Sequence, residues 1–187
     1  EIGLGSFWYY YRPQKNTCAL PRSSSPLLVR VPVALRLSGS NTQGKSPEYG
    51  KVWEDGKLVV TAVVSKFESG APSIQDAGIA AYRQMYAEFS RIFGAPLTTS
   101  LPRGAEPSAR HAEIRATYRS SRGPVDVALF LVDSPGSAGD EFQTAYQERT
   151  ETSDFVAYNG HAGLGANIRA LASMGRYLEG QYQIFLL

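Results

Sequence analysis

The chain has 187 residues, of which 43% are hydrophobic and 19% charged, and its formal net charge is only +2. This length and apolar content suffice for one ordinary hydrophobic core but not for two full domains. The scattered charges imply neither a nucleic acid nor an anionic membrane as a partner, and no apolar stretch approaches the roughly 18 residues that a membrane span needs.

The N-terminal part of the chain is rich in aromatic residues, Pro and Ser. It contains the aromatic run 7–11 and a second apolar stretch, residues 27–37, that a proline interrupts. Aromatic and β-branched residues favour strands, and a proline confines a strand to an edge or a bulge. We therefore expect residues 1–52 to form a β-rich extension of an α/β domain at residues 53–187.

Short apolar runs then alternate with segments of helical spacing. Strands buried in a parallel sheet are nearly continuous apolar runs, whereas amphipathic helices repeat apolar residues three and four apart. The predicted buried strands are residues 58–64, 125–132, 154–158 and 181–187. The predicted helices begin at Ser73, as N-cap, at Ser137 and at Ala166. The order βαβαβαβ predicts the α/β class, with a mostly parallel sheet and helices on both faces.

One further strand is predicted between the first helix and the second buried strand. Residues 112–119 alternate apolar and polar side chains, which indicates a strand with one exposed face. The preceding residues, 97–107, are rich in Pro, Gly and Ser and are predicted to form a linker.

The strand at residues 154–158 runs directly into a histidine flanked by glycines, in the sequence Asn-Gly-His-Ala-Gly-Leu-Gly at residues 159–165. In open α/β sheets, ligands bind outside the carboxyl ends of the strands. The glycines allow positive φ angles, so His161 can project over the sheet edge while free amides gather at the start of the next helix. Such a histidine can accept a proton at neutral pH. The alternative is a tight turn with an incidental polar residue.

Residues 154–163, Asp-Phe-Val-Ala-Tyr-Asn-Gly-His-Ala-Gly, resemble the strand and histidine loop of caspase-like cysteine peptidases, especially metacaspases and gingipains. In that family an apolar strand ends in a turn of the Ser-Gly-His-Gly type. The order of elements after residue 57 is also similar to the caspase-haemoglobinase-like fold, whereas the first fifty residues have no counterpart in it. Ala162 is a departure, since the family usually has glycine directly after the histidine.

The resemblance implies hydrolysis of peptide bonds by a Cys/His dyad. His161 would be its general base or acid, and the amides around Gly160, Ala162 and Gly163 would help to hold an oxyanion.

The same resemblance places further groups near the histidine. Asp133 and Asn159 would lie on the same rim. Asp133 is placed there by its strand-end position alone, and the alternative is a solvated carboxylate at the end of a strand. The catalytic cysteine of the family follows the strand that corresponds to residues 181–187, so we expect it just after Leu187. The chain as given is expected to show no peptidase activity by itself.

Other chemistries fit the sequence less well. The glycines of the histidine loop match neither the dinucleotide fingerprint nor the P-loop, and no Gly-x-Ser-x-Gly elbow is present. His111 and His161 lie on unrelated segments, so no metal site is expected, and no cofactor is implied. The single cysteine, Cys18, allows no internal disulfide and lies far from the histidine loop in sequence.

Two functional hypotheses remain open. The first is a caspase-like cysteine peptidase, or its histidine-bearing part, that acts on a peptide or protein substrate. The second is a non-catalytic interaction or structural module of a secreted or envelope assembly, which would contact protein partners through its aromatic N-terminal segment. The compartment stays open, with export slightly favoured over the cytoplasm. A cysteine shortly after Leu187 would favour the enzyme, and a stop codon or an apolar residue there would favour the module.

Overall fold

A computed structural model describes residues 47–187 and, before them, only Pro32 and Ala34. The chain divides into two compact units, Glu1–Lys45 and Ser46–Leu187, and the described residues belong almost entirely to the second. The predicted extension, with its aromatic run and Cys18, lies almost wholly outside the described residues. The extension and its boundary after residue 52 stay predictions.

The second unit is built on a six-stranded, mostly parallel sheet. Its strands are β1 (Leu58–Ser65), β2 (Thr98–Thr99), β3 (Glu113–Ser120), β4 (Gly123–Val132), β5 (Phe155–Asn159) and β6 (Ile184–Leu186). They lie in the order β2-β3-β4-β1-β5-β6. Strands β4, β1, β5 and β6 are parallel, while β3 is antiparallel to both β2 and β4. The predicted α/β class with a mostly parallel sheet is confirmed.

The helices are α1 (Ala77–Phe93), α2 (Asp140–Thr150) and α3 (Ala166–Met174), and they cover both faces of the sheet. Val63 and Val64 of β1 are both 0% exposed, although neighbours in a strand point to opposite faces. Val64 packs in one cluster with Tyr82 of α1, and Val63 packs in another with Tyr146 of α2. Within the described residues, no helix has both the length and the apolar character that a membrane crossing requires.

Helix α1 begins later than predicted, because its N-cap is Asp76 rather than Ser73. The Asp76 carboxylate accepts the amide of Ile79 at 3.0 Å, inside the helix, and the amides of Phe67 and Glu68 at 3.1 and 2.8 Å, in the loop after β1. A serine hydroxyl has one oxygen, whereas a carboxylate has two and accepts several hydrogen bonds. Asp76 therefore ties the start of α1 to the end of β1.

Two other elements start three residues later than predicted. Helix α2 begins at Asp140 instead of Ser137, because Pro135–Ser137 form a 3-10 turn. Strand β6 starts only at Ile184. The preceding side chains of Gln181 and Gln183 donate to the Ser153 carbonyl at 3.1 and 2.6 Å. The short strand β2 lies in the segment that was predicted to be a linker.

Replacing Asp76 with Ala should lower the free energy of unfolding at pH 7 by about 1–2 kcal/mol, since a helix loses its cap. Burial raises the pKa of Asp76, but the hydrogen bonds from the amides of Glu68, Ile79 and Phe67 bring it below its ordinary value of 3.8. Because the folded-state pKa is the lower one, the stabilisation is present above about pH 4 and disappears as the pH falls further.

Urea unfolding of the wild type and the Asp76 variant at pH 7 and at pH 3 measures this difference. The difference in the free energy of unfolding between the two proteins should be smaller at pH 3 than at pH 7. Asp140, in the first turn of α2, is exposed and provides the matched control. Its replacement by Ala should change stability by about 0.5 kcal/mol or less. An Asp76 variant no less stable than this control would contradict the capping role.

Candidate functional site

His161 lies at the carboxyl edge of the sheet, two residues after the end of β5, and its side chain is exposed. The imidazole ring centre is 4.8 Å from that of Phe67, with the two planes tilted by 50°. Phe67 follows β1, which is the parallel neighbour of β5. The structure thus places His161 at the edge that the sequence predicts for it.

The backbone of the histidine loop is held from three elements. The Tyr158 hydroxyl, from β5, donates to the His161 carbonyl at 2.8 Å, and the side-chain amide of Asn167, from α3, donates to the same carbonyl at 2.6 Å. The hydroxyl of Ser65, at the end of β1, lies 3.0 Å from the Tyr158 hydroxyl. Since Tyr158 donates its proton to the carbonyl, Ser65 is the donor in this second contact.

Glycine is required where the loop passes β1. A Cβ atom on Gly160 would collide with the side chain of Ser65. Further along, Gly163, Leu164 and Gly165 have φ angles of 56°, 54° and 87°. Leu164 is 82% exposed, and it adopts a backbone conformation that is uncommon for a residue with a side chain. The loop is therefore a left-handed turn fixed close against the sheet.

Backbone amides next to the histidine are available to a ligand. The amides of Gly165 and Ala166 donate to the carbonyls of Ala162 and Gly163, at 2.9 and 3.0 Å. Among the described residues, no acceptor receives the amides of Ala162, Gly163 or Leu164. The loop therefore presents an imidazole and free amide donors at one edge of the sheet, where they could act on a polar substrate.

Asp133 lies at the same edge but is engaged by other groups. Lys66 approaches its carboxylate to 2.8 Å, and the Ser69 hydroxyl donates to it at 3.2 Å. The hydrogen bond from Lys66 lowers the pKa of this carboxyl below its usual value. Strand β1 lies between β4, which leads to Asp133, and β5, which leads to His161. The structure therefore pairs Asp133 with Lys66 rather than with the histidine.

A cavity of about 210 Å³ lies against His161. Its walls come from the end of β1, the first turns of α1 and the histidine loop, and they include Asn159 and Gly160. The apolar part of the lining consists of Val64, Phe67, Ala77, Gly78 and Ala81. No sequence motif marks this wall. The position of Phe67, just after a predicted parallel strand, is the signal that points to it.

The second histidine, His111, belongs to the loop before β3. The backbone of His111 forms an isolated antiparallel bridge with Ser108. The His111 carbonyl accepts a hydrogen bond from the Tyr82 hydroxyl at 2.7 Å. Within residues 47–187, no group of three or more His, Cys, Asp or Glu side chains is arranged to hold a metal ion.

Replacing Tyr158 with Phe should loosen the histidine loop, because the His161 carbonyl and the Ser65 hydroxyl each lose a partner. One such hydrogen bond contributes about 0.5–1.5 kcal/mol, so amide exchange in residues 160–165 should become up to about tenfold faster. Hydrogen–deuterium exchange with mass spectrometry measures this change. In the control Tyr177→Phe, the lost hydroxyl contacts the Leu171 carbonyl and Tyr146 rather than the histidine loop, so the loop should exchange at the wild-type rate. Equal exchange in all three proteins would contradict the positioning role of Tyr158.

Comparisons of the chain with models of protein families, with curated proteins and with solved structures gave no match. The support for a function of this chain therefore comes from the geometry around His161 and from the histidine-loop motif at residues 154–163.

Proposed function

We propose that this chain carries the histidine of a caspase-like cysteine peptidase. In this proposal His161 is the general base and acid of a Cys/His dyad that hydrolyses peptide bonds. The cysteine belongs to the segment that follows β6. The observation that carries the proposal is the pairing of β6 with β5, the strand that leads to the histidine.

Strand β6 runs parallel to β5, with Leu186 paired to Ala157. Continued in this register, the pairing would bring a residue three positions past Leu187 level with His161. Paired residues point to the same face of a sheet, and neighbouring strands lie about 4.8 Å apart. A cysteine near that position would therefore have its thiol within reach of the imidazole. This supports the expectation that the nucleophile follows β6 closely.

The chemistry then follows from the groups at the sheet edge. The imidazole of His161 takes the thiol proton as sulfur attacks the carbonyl carbon of the scissile peptide bond. The free amides of Gly163 and Leu164 donate to the oxyanion that forms. The imidazolium returns the proton to the amine as the C–N bond breaks. Water, deprotonated by the same imidazole, then attacks the acyl-enzyme and releases the thiol and the acid product.

Two measurements test the proposal together. The coding sequence past codon 187 should contain a cysteine codon within a few positions of Leu187. The protein extended through that cysteine should be labelled there by a thiol-reactive peptide probe, and the labelling should depend on His161. A stop codon, an apolar residue in place of the cysteine, or labelling that is indifferent to His161 would overturn the proposal.

A non-catalytic interaction module is the second candidate, and one observation favours it. Several large apolar side chains around β6 are exposed: Tyr177, Leu178, Phe185, Leu186 and Leu187. Clustered apolar surface of this kind often marks a contact site for protein. If no cysteine follows Leu187, this surface becomes the main functional feature of the described residues, with a protein partner as its ligand.

A further inference from the structure

The cavity beside His161 is positioned to hold part of a substrate next to the reacting bond. The histidine itself forms one wall, and the ring of Phe67, 4.8 Å from the imidazole, forms another. A group bound in the cavity would therefore touch the imidazole directly. In a peptide substrate, such a group is a side chain close to the carbonyl under attack.

The lining determines which side chains fit chemically. Among the described residues, no charged side chain lines the cavity. Of the charged groups nearest in the sequence, Lys66 pairs with Asp133, and the Asp76 carboxylate accepts three backbone amides. Glu68, the third, is exposed and does not line the cavity. The hydroxyl of Ser65 is bonded to Tyr158. A basic substrate group would lose its hydration here without gaining an opposite charge, and that loss is costly. An acidic group would gain an opposite charge only from a protonated His161.

The size of the cavity sets the second limit. Its volume of about 210 Å³ exceeds the roughly 150 Å³ that suffices to hold a benzene molecule. The wall contributed by α1 is made of small residues, Ala77, Gly78 and Ala81, and these leave the space open. A branched aliphatic side chain of four carbons therefore fits.

We propose that this cavity binds an uncharged aliphatic side chain, of about the size of leucine, in the substrate residue next to the bond that is cleaved. This inference rests on the proposed peptidase function. It assigns the substrate class: peptides cleaved beside an aliphatic residue rather than beside a basic or an acidic one. Phe67 and the small residues of α1 determine this specificity by the shape and the apolar surface that they provide.

The test is an NMR titration of the 187-residue chain with N-acetyl-leucine amide, N-acetyl-lysine amide and N-acetyl-aspartate amide. The leucine compound should shift the ring signals of His161 and Phe67 and the methyl signals of Ala77 and Ala81. It should bind at least about tenfold more tightly than either charged compound. Equal or tighter binding of a charged compound, or no shift with the leucine compound, would overturn the inference.

Matched variants locate the binding. Ala77 is an exposed residue at the start of α1 that lines the cavity, so Ala77→Leu should fill the space and weaken the leucine compound by about tenfold. Ala87 is exposed on the same helix and does not line the cavity, so Ala87→Leu should leave binding unchanged. If Ala77→Leu binds the leucine compound like the wild type, the cavity is not the binding site.

The proposal for the cavity and the proposal for the Cys/His dyad can be overturned independently of each other. If the chain prefers the leucine compound but the coding sequence has no cysteine codon after β6, the peptidase is overturned and the cavity is kept as an aliphatic binding site. A reactive cysteine that is labelled faster by probes with a lysine or an aspartate than by one with a leucine would keep the peptidase and overturn the specificity proposed here.

Discussion

Replacing His161 with Ala in the protein extended past Leu187 should slow the labelling of the expected cysteine by about 10²–10⁴-fold. This is the range that a positioned general acid or base contributes. The thiolate is the reactive form, and in this site the imidazole is the group that would take the proton from the thiol. The second-order rate constant for a chloromethyl ketone peptide with an aliphatic side chain, measured at pH 7, gives the effect.

The control for this experiment is His111→Ala. The hydrogen bonds that join His111 to Tyr82 and Ser108 use its backbone, so the variant keeps them and should be labelled at the wild-type rate. Circular dichroism of both variants verifies that they are folded. If the two variants react equally fast, the imidazole of His161 has no part in activating the thiol, and the dyad is wrong.

Replacing Gly78 with Ala should lower the free energy of unfolding by about 3 kcal/mol, the upper part of the range for forcing extra atoms into a packed interior. Gly78 is in the first turn of α1, where the helix touches the end of β1 backbone to backbone. A Cβ atom there would lie 2.6 Å from the Cα of Lys66 and 2.8 Å from the carbonyl carbon of Ser65. Both are main-chain atoms where β1 ends and the loop to Phe67 begins, so the clash cannot be relieved by rotating a side chain.

Gly50→Ala is the matched control for this prediction. Gly50 has φ of −68° and ψ of −37°, which suit any residue, and a Cβ atom there meets nothing within 4 Å. Its replacement should leave stability unchanged or raise it by up to about 1 kcal/mol. Urea unfolding of the three proteins measures both effects. If the Gly78 variant is as stable as the Gly50 variant, the helix does not approach β1 as closely as described.

The strands and helices could be predicted because each follows from local pattern. An apolar run such as residues 58–64 is long enough for a strand and too short for a helix, and it needs cover on both faces wherever it lies. The position of His161 could be predicted for a related reason: a residue that follows a parallel strand emerges at the carboxyl edge of the sheet, whatever the order of the strands.

The neighbours of the histidine could not be predicted, because they depend on strand order. The ring of Phe67 contacts His161 because β1 lies beside β5. Asp133 forms an ion pair with Lys66 because β1 also lies beside β4. Residues far apart in sequence meet in this way, and no local pattern encodes such contacts. The sequence predicts Ser73 as the N-cap of α1 for the same reason. Asp76 is the better cap partly because its carboxylate also accepts hydrogen bonds from the loop after β1.

The central place of β1 also determines when the fold can form. Leu58 pairs with Val125 on one side, and Val60 pairs with Phe155 on the other. During synthesis on the ribosome, this strand is made before the other described strands, and its partners β4 and β5 are translated much later. Contacts so distant in sequence slow folding, and an unpaired apolar strand is prone to aggregate in the interval. The risk of aggregation for β1 is therefore greatest between its own emergence and that of β4.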